Sequence, residues 1–352
     1  NTMNVVKWLK LSSNVNIRNT ETITPALSPA YNMRFAAPIY AGIYSDGRLA
    51  GGKDGENPYG KMMYAGNSND KYYQLSGKFS ADVTILKDLV ITGTFAPTIN
   101  FEKTKTFNKQ VKYYTAWNDL LSTDYLDGTN TTDLKEERMD NYTLTSQLFA
   151  NYSKSIKENN INAMVGYEGS HYFYENMWAS RGEYDLPYYP YLSAGPETLK
   201  DNNGDAYENA YNSFFGRIMY NWNSRYYFQS NLRYDGSSRF AADYRWGFFP
   251  SVSGAWVMSQ EKFMKKLDWI SMLKLRLSWG QLGNERIGNY PYQSSIAFNT
   301  GTLYQGSLVV PSQGASAYIF AIPDISWETT ETTDIGLDLS LFADKLRFTG
   351  DV

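Results

Sequence analysis

The stretch "WASRGEYDLPYYPYL" (178–192) holds the most suggestive side chains in this sequence. Trp178, Tyr184, Tyr188, Tyr189 and Tyr191 offer flat amphipathic rings with little rotamer freedom. Such rings stack on sugar faces or grip a partner protein, and Pro187 and Pro190 stiffen the backbone between them. Tyr290, Tyr292, Tyr304 and Tyr318, within 282–326, form a second candidate surface of the same kind. Packing inside the loops is the competing use of these rings.

Catalytic chemistry has a thinner basis. His171 is the only histidine, so a histidine triad or a zinc site would rest on one residue; a polar side chain near a membrane interface accounts for it. "DNNGDAYENAYN" (201–212) opens like a calcium loop through Asp201, Asn203 and Asp205. Ala206 stands where that loop needs glycine, and Asn212 where it needs a bidentate glutamate. A hydrated loop tip is the expectation there, and no cofactor is implied, the calcium motif being incomplete. "GGKDGENPYG" (51–60) and "GQLGNERIG" (280–288) lack the GK[ST] ending of a phosphate loop, and no helix is expected after them, so they read as turns. The carboxylates Glu136 and Glu137, beside Arg138, read as a solvated charged loop. The chain is not expected to be an enzyme.

The elements that carry these residues show one period throughout. In "RYYFQSNLRYDGSSRF" (225–240), Tyr226, Phe228, Ser230, Leu232 and Tyr234 alternate with Tyr227, Gln229, Asn231, Arg233 and Asp235. Successive strand side chains point to opposite faces, so one face is largely apolar and the other polar. The pattern recurs at 75–85, 142–152, 273–280 and 334–341, and only "SQEKFMKKLDWIS" (259–271) suggests a helix. Strands are expected near 5–19, 71–85, 89–101, 139–153, 160–174, 211–222, 225–235, 246–257, 272–281, 327–341 and from 345 onward. The chain is all-β.

The connections separate two architectures. Long ones near 20–70, 102–138, 175–210 and 282–326 alternate with short ones such as "LKDL" (86–89), "SIKENN" (155–160), "NWNSR" (221–225) and "FADK" (342–345). Transmembrane β-barrels alternate in this way, with short turns on one side and long extracellular loops on the other, whereas a soluble sandwich has no reason to. The composition agrees: 30 Tyr, 18 Phe and 9 Trp give 16% aromatic residues, and no apolar run is long enough for a transmembrane helix. The net charge of −3 gives no basic surface for nucleic acid. Lys274, Arg276, Arg233 and Arg217 fall on the polar series and are expected to form lumenal salt bridges. A soluble or surface-attached all-β carbohydrate-binding protein is the alternative, and an unplugged passive porin a third reading. About eleven strands is an odd number for a bacterial barrel, and an open sheet in lipid leaves unpaired edges. The chain is therefore expected to be an interior portion of one larger barrel domain spanning 1–352 and beyond.

Several stretches resemble the SusC-like (SusC/RagA) family of TonB-dependent outer-membrane transporters. They are "SFFGRIMYNWNSRYYFQSNLRYDGSSRFAADYRWGFFPSVSGAWVMSQEKFM" (213–264), "LKLRLSWGQLGNERIGNYPY" (273–292) and "ISWETTETTDIGLDLSLFADKLRFTGDV" (325–352). A weaker match is "NPYGKMMYAGN" (57–67). Trp279, Leu282 and Asp334 depart from the family pattern without altering the strand reading. The resemblance implies a plugged transmembrane antiparallel β-barrel of about 22 strands in the outer membrane of a Gram-negative bacterium. It also implies a plug and TonB-contacting box outside these residues, a SusD-like surface lipoprotein as a lid, and an oligosaccharide or peptide cargo driven inward by the TonB complex.

Overall fold

The computed structural model describes residues 1–34, 36–115, 121–306 and 308–352. Twelve strands form one antiparallel sheet in which chain neighbours lie side by side. They are β1 (Thr2–Val6), β2 (Leu9–Pro25), β3 (Gly66–Leu86), β4 (Leu89–Asn108), β7 (Asp133–Ile156), β8 (Asn159–Arg181), β9 (Lys200–Trp222), β10 (Tyr226–Ser237), β11 (Trp246–Val257), β12 (Ile270–Asn284), β15 (Glu328–Leu341) and β16 (Leu346–Asp351). Two small hairpins stand apart: β5 (Lys112–Tyr114) with β6 (Leu121–Tyr125), and β13 (Ser295–Gln305) with β14 (Leu308–Ile319). The first long connection carries two short helices, α1 (Pro29–Asn32) and α2 (Pro58–Tyr64).

The sheet has twelve strands, not about eleven, because residues 5–19 are not one strand. Val6 pairs with Leu9, so Lys7 and Trp8 form a tight turn between β1 and β2. Nothing in "KW" carries the usual turn chemistry, which is why alternation reads straight through it. The expected helix at 259–271 is absent. A single 3₁₀ turn, Met258–Gln260, is followed by turns, and β12 begins at Ile270.

Register converts alternation into two continuous faces. One row of paired residues runs Leu9, Val83, Ile91, Ala150, Val165, Gly216, Leu232 and Pro250, apolar or glycine at every step. On the opposite face, Ser12, Ser80, Thr94, Gln147, Glu168, Ser213 and Asp235 pair in the same order. The first face is open to its surroundings: Val165 is 66% exposed and Leu148 56%. The second bonds to itself. Ser80 and Thr94 share a hydroxyl contact of 3.2 Å, the Gln147 amide donates to Glu168, and the Ser213 hydroxyl donates to Asp235. A buried core would pack the apolar face and leave the polar one to solvent. Here the arrangement is reversed, as lipid outside and water inside require.

Aromatic rings bound the apolar face at both ends. Trp222, Tyr226 and Trp256 stack in succession, at 5.5 and 6.2 Å between ring centroids. Toward the other end, Tyr234 stacks on Trp246 at 4.8 Å, and Phe214 joins Tyr167 at 5.2 Å. Tyr226 and Tyr234 lie on the same strand about 27 Å apart, or roughly 20 Å along a tilted barrel axis, near the ~25 Å of an outer-membrane apolar band. The strands overrun that band. The 23 residues of β8 rise roughly 58 Å along the axis at the usual tilt. The sheet thus continues well past the band on the side of the long connections. Those connections are shorter than expected: 26–65, 109–132, 182–199 and 285–327.

Candidate functional site

The long connections pack into a platform. Asn57 caps α2, its side chain accepting from the Gly60 amide at 3.1 Å and donating to the Gly42 carbonyl at 2.7 Å. A short helix, not expected there, thus begins inside the glycine-rich stretch 51–60, at Pro58. Lys61, 1% exposed, holds its ammonium 2.8 Å from Glu56 and 3.5 Å from Asp127, which fastens the first long connection to the second. Ala65, Val111 and Leu126 form the apolar centre between them. Gly66, at φ 95°, starts β3 where any side chain would collide with the Phe107 carbonyl.

The predicted ring cluster is split. Trp178 lies within β8, on the polar face opposite Glu137, with the Lys135 ammonium 4.7 Å over its ring. Tyr184 is only 6% exposed and packs edge-on against Phe107 at 5.6 Å, beside Leu134. Burial pushes its phenol above the usual range, and its hydroxyl donates to the Tyr191 carbonyl at 3.1 Å. Phe107 and Leu134 belong to the apolar series of β4 and β7, so the connection 182–199 drapes over the outside of the sheet. Tyr189 and Tyr191 pair there at 4.8 Å, with the Lys105 ammonium 4.4 Å from the Tyr191 ring, while Tyr188 is 75% exposed. Tyr290, at φ 51°, donates its hydroxyl to the Glu208 carbonyl and meets Tyr292 edge-on at 6.2 Å. The side chains of Tyr304 and Tyr318 lie outside the described residues.

Two other expectations change for one reason, the length of the strands. Residues 201–212 are not a loop tip but part of β9, paired with β8. Asp201, Asn203 and Asp205 then share a face about 7 Å apart and do not converge on an ion. Glu136 and Glu137 also lie in a strand, β7. Glu136 pairs outward with Lys105 at 3.1 Å and Arg138 at 2.8 Å, and Glu137 pairs with Lys135 at 3.1 Å. His171 sits on the outward face, 5.8 Å from the Tyr142 ring and 3.1 Å from a Glu208 oxygen. Of the four inward cations, Arg276 bonds Asp338 at 3.0 Å and Asp351 at 2.8 Å, and Arg233 bonds Asp235 at 3.2 Å. Lys274 instead lies 5.7 Å over the Tyr227 ring, and the buried Nε of Arg217 lacks a hydrogen-bond partner.

These features make a lipid-facing wall with a polar inner surface and a packed platform on one rim. The family described as TonB dependent receptor-like, beta-barrel matches residues 19–352. The chain belongs to that family. TonB-dependent receptor P39 of Formosa agariphila is 32% identical over 212 residues, 60% of this chain and 20% of that protein. TonB-dependent receptor SusC of Bacteroides thetaiotaomicron is 31% identical over 216 residues, again 60% of this chain and 20% of the relative. The RagAB peptide transporter superposes over 99% of this chain and 38% of its own, with a TM-score of 0.77 at 22% identity, a likeness of fold. The SusC/RagA resemblance is therefore borne out, and the soluble carbohydrate-binding reading is set aside. The relatives are TonB-dependent receptors, not enzymes. The matched part of this TonB-dependent barrel spans about one fifth of the curated relatives' length, 20% in each case.

Sequence reasoning missed the inner wall above the apolar band, where Tyr172, Tyr174 and Tyr207 cluster. The sequence reading puts Tyr172 and Tyr174 on an expected strand and leaves Tyr207 in the long connection 175–210. Only register brings them together.

Proposed function

We propose that the protein takes part in TonB-dependent import of an oligosaccharide or peptide nutrient across the outer membrane of a Gram-negative bacterium, with a SusD-like lipoprotein as its lid. The observation that carries this reading is the pairing of an open apolar row across eight strands with a self-bonded polar row behind it, in a chain whose family is that of TonB-dependent barrels. Lipid contact, a wet interior and a packed external platform are the parts that such import requires of a barrel wall. In the proposed cycle, cargo is captured between platform and lid, the lid closes, TonB displaces the plug, and cargo passes along the inner face.

The test is uptake in the source bacterium. Deleting the gene should abolish accumulation of one class of labelled oligosaccharide or peptide, and collapsing the proton gradient in the parent strain should do the same. Uptake that survives collapse of the gradient would make the barrel a passive pore. Uptake unaffected by the deletion would sink the nutrient reading.

A further inference from the structure

On the inner face, one ladder row reads Arg18, Gln74, Asn100, Asn141, Tyr174 and Tyr207 across β2, β3, β4, β7, β8 and β9. Its amides are chained: Gln74 Nε2 donates to Asn100 Oδ1 at 2.9 Å, and Asn100 Nδ2 donates to Asn141 Oδ1 at 2.7 Å. The Tyr72 hydroxyl, in the neighbouring row, also donates to Asn100 Oδ1, at 2.8 Å. Tyr174 stacks on Tyr207 with centroids 4.8 Å apart and planes 27° apart, and Tyr172 lies 5.9 Å from Tyr207. The next two rows toward the rim add Glu102 and Asp205, then Asp70, Glu137 and Trp178. The cations Arg18 and Lys135 stand at the borders, and Lys135 is already paired with Glu137 at 3.1 Å.

Building on the import reading above, we infer that this wall is a cargo subsite for a saccharide that bears no anionic group. Three features argue for it. Tyrosine faces stack on the flat C–H side of a sugar ring, and beside the tyrosine cluster lies an amide chain whose internal hydrogen bonds are already made. The rows toward the rim are rich in carboxylates, strong acceptors that the closely spaced hydroxyl donors of a saccharide ring can meet at several points. The carboxylates exceed the cations, so a uronate or sulfate meets like charge while a neutral or amine-bearing sugar does not. Position agrees. Tyr174 is roughly 55 Å along β8 from its tight turn, or roughly 40 Å up the axis, beyond the lipid band and seven residues short of the Phe107–Leu134–Arg181 row that meets the platform.

The experiment uses the intact protein extracted with its lid in detergent, probed on an array of neutral, amine-bearing and anionic oligosaccharides together with a lysine-rich peptide. Neutral or amine-bearing glycans should bind, and their anionic counterparts should bind about tenfold or more weakly. Tyr174→Ala with Tyr207→Ala should weaken binding by about tenfold or more, as truncating a central aromatic anchor does. Tyr174→Phe keeps the stacking face and should retain binding, which separates loss of the platform from failure to fold. Asp70→Asn with Glu102→Gln should relax the discrimination against anionic glycans. Binding confined to anionic glycans or to the peptide overturns the inference. So does affinity indifferent to the double alanine change, or no binding at all, as when another segment of the protein occupies the wall. Because binding needs no TonB, glycan capture that persists without energised uptake would count against the import reading and not against this site.

Discussion

Tyr226, Trp256 and Arg225 converge on one carboxylate at the rim that carries the short turns. The Tyr226 hydroxyl reaches Glu261 at 2.6 Å, Trp256 Nε1 at 3.1 Å and the Arg225 guanidinium at 3.3 Å. The Tyr226 hydrogen bond above all, with Trp256 and Arg225 adding to it, holds the Glu261 carboxyl below its ordinary value of 4.5. A carboxyl more acidic in the folded than in the unfolded state stabilises the fold above its unfolded pKa. That contribution is lost as pH falls through the folded value. Melting of the intact protein should therefore fall between pH ~6 and ~3, and Glu261→Gln should flatten that part of the profile while lowering the neutral-pH melting point. An unchanged profile in the variant would remove Glu261 as the anchor of this girdle. At the same scale, Tyr184 and Tyr191 show how one aromatic stretch divides its labour: the first is consumed by packing, the second stays at the surface.

At the scale of the strand, what matters is the face and not the residue type. Leu148 and Gln147 are neighbours on β7, yet Leu148 lies in the outward series and Gln147 bonds Glu168 inside. Lysine at Leu148 puts a charge in the apolar band, at a cost of about 2–4 kcal/mol near its middle. Leu148→Lys should sharply reduce the heat-modifiable, membrane-inserted form on gels, whereas Gln147→Lys should leave it near the parent level. Equal assembly of the two would contradict the assignment of faces. The same logic applies to Leu275, whose neighbours Lys274 and Arg276 carry charge on the inner side.

At the largest scale, the sheet formed by the described residues is open. β1 pairs only with β2, and β16 only with β15, so each leaves one edge of backbone donors and acceptors without strand partners among the described residues. Lipid cannot satisfy such edges, because each unpaired group there costs several kcal/mol. Residues 1–352 expressed alone should consequently fail to give a heat-modifiable barrel, while the protein extracted intact from its membrane should give one. A stable inserted barrel from the segment alone would mean that the edges close on each other. The long strands also explain the platform: sheet that rises beyond the lipid carries the connections above it, where Lys61 and the cluster around Leu126 tie them together.

The all-β class, the period-two faces, the alternation of long and short connections, and the family were all legible in the order of residues. Each depends on local spacing or on residue types in order, which chain chemistry records directly. Strand ends were less legible. Above the lipid both faces are wet, so the hydrophobic alternation that marks a strand fades at 102–108 and 200–210 although pairing continues. The turn at Lys7 and Trp8 was hidden for want of turn residues. What meets across strands depends on register, which pairing in three dimensions sets. Tyr174 and Tyr207 lie 33 residues apart in number, and a shift of one residue in register would have sent one of them to the outer face. The inner wall and the burial of Tyr184 are consequences of pairing, which no single strand specifies.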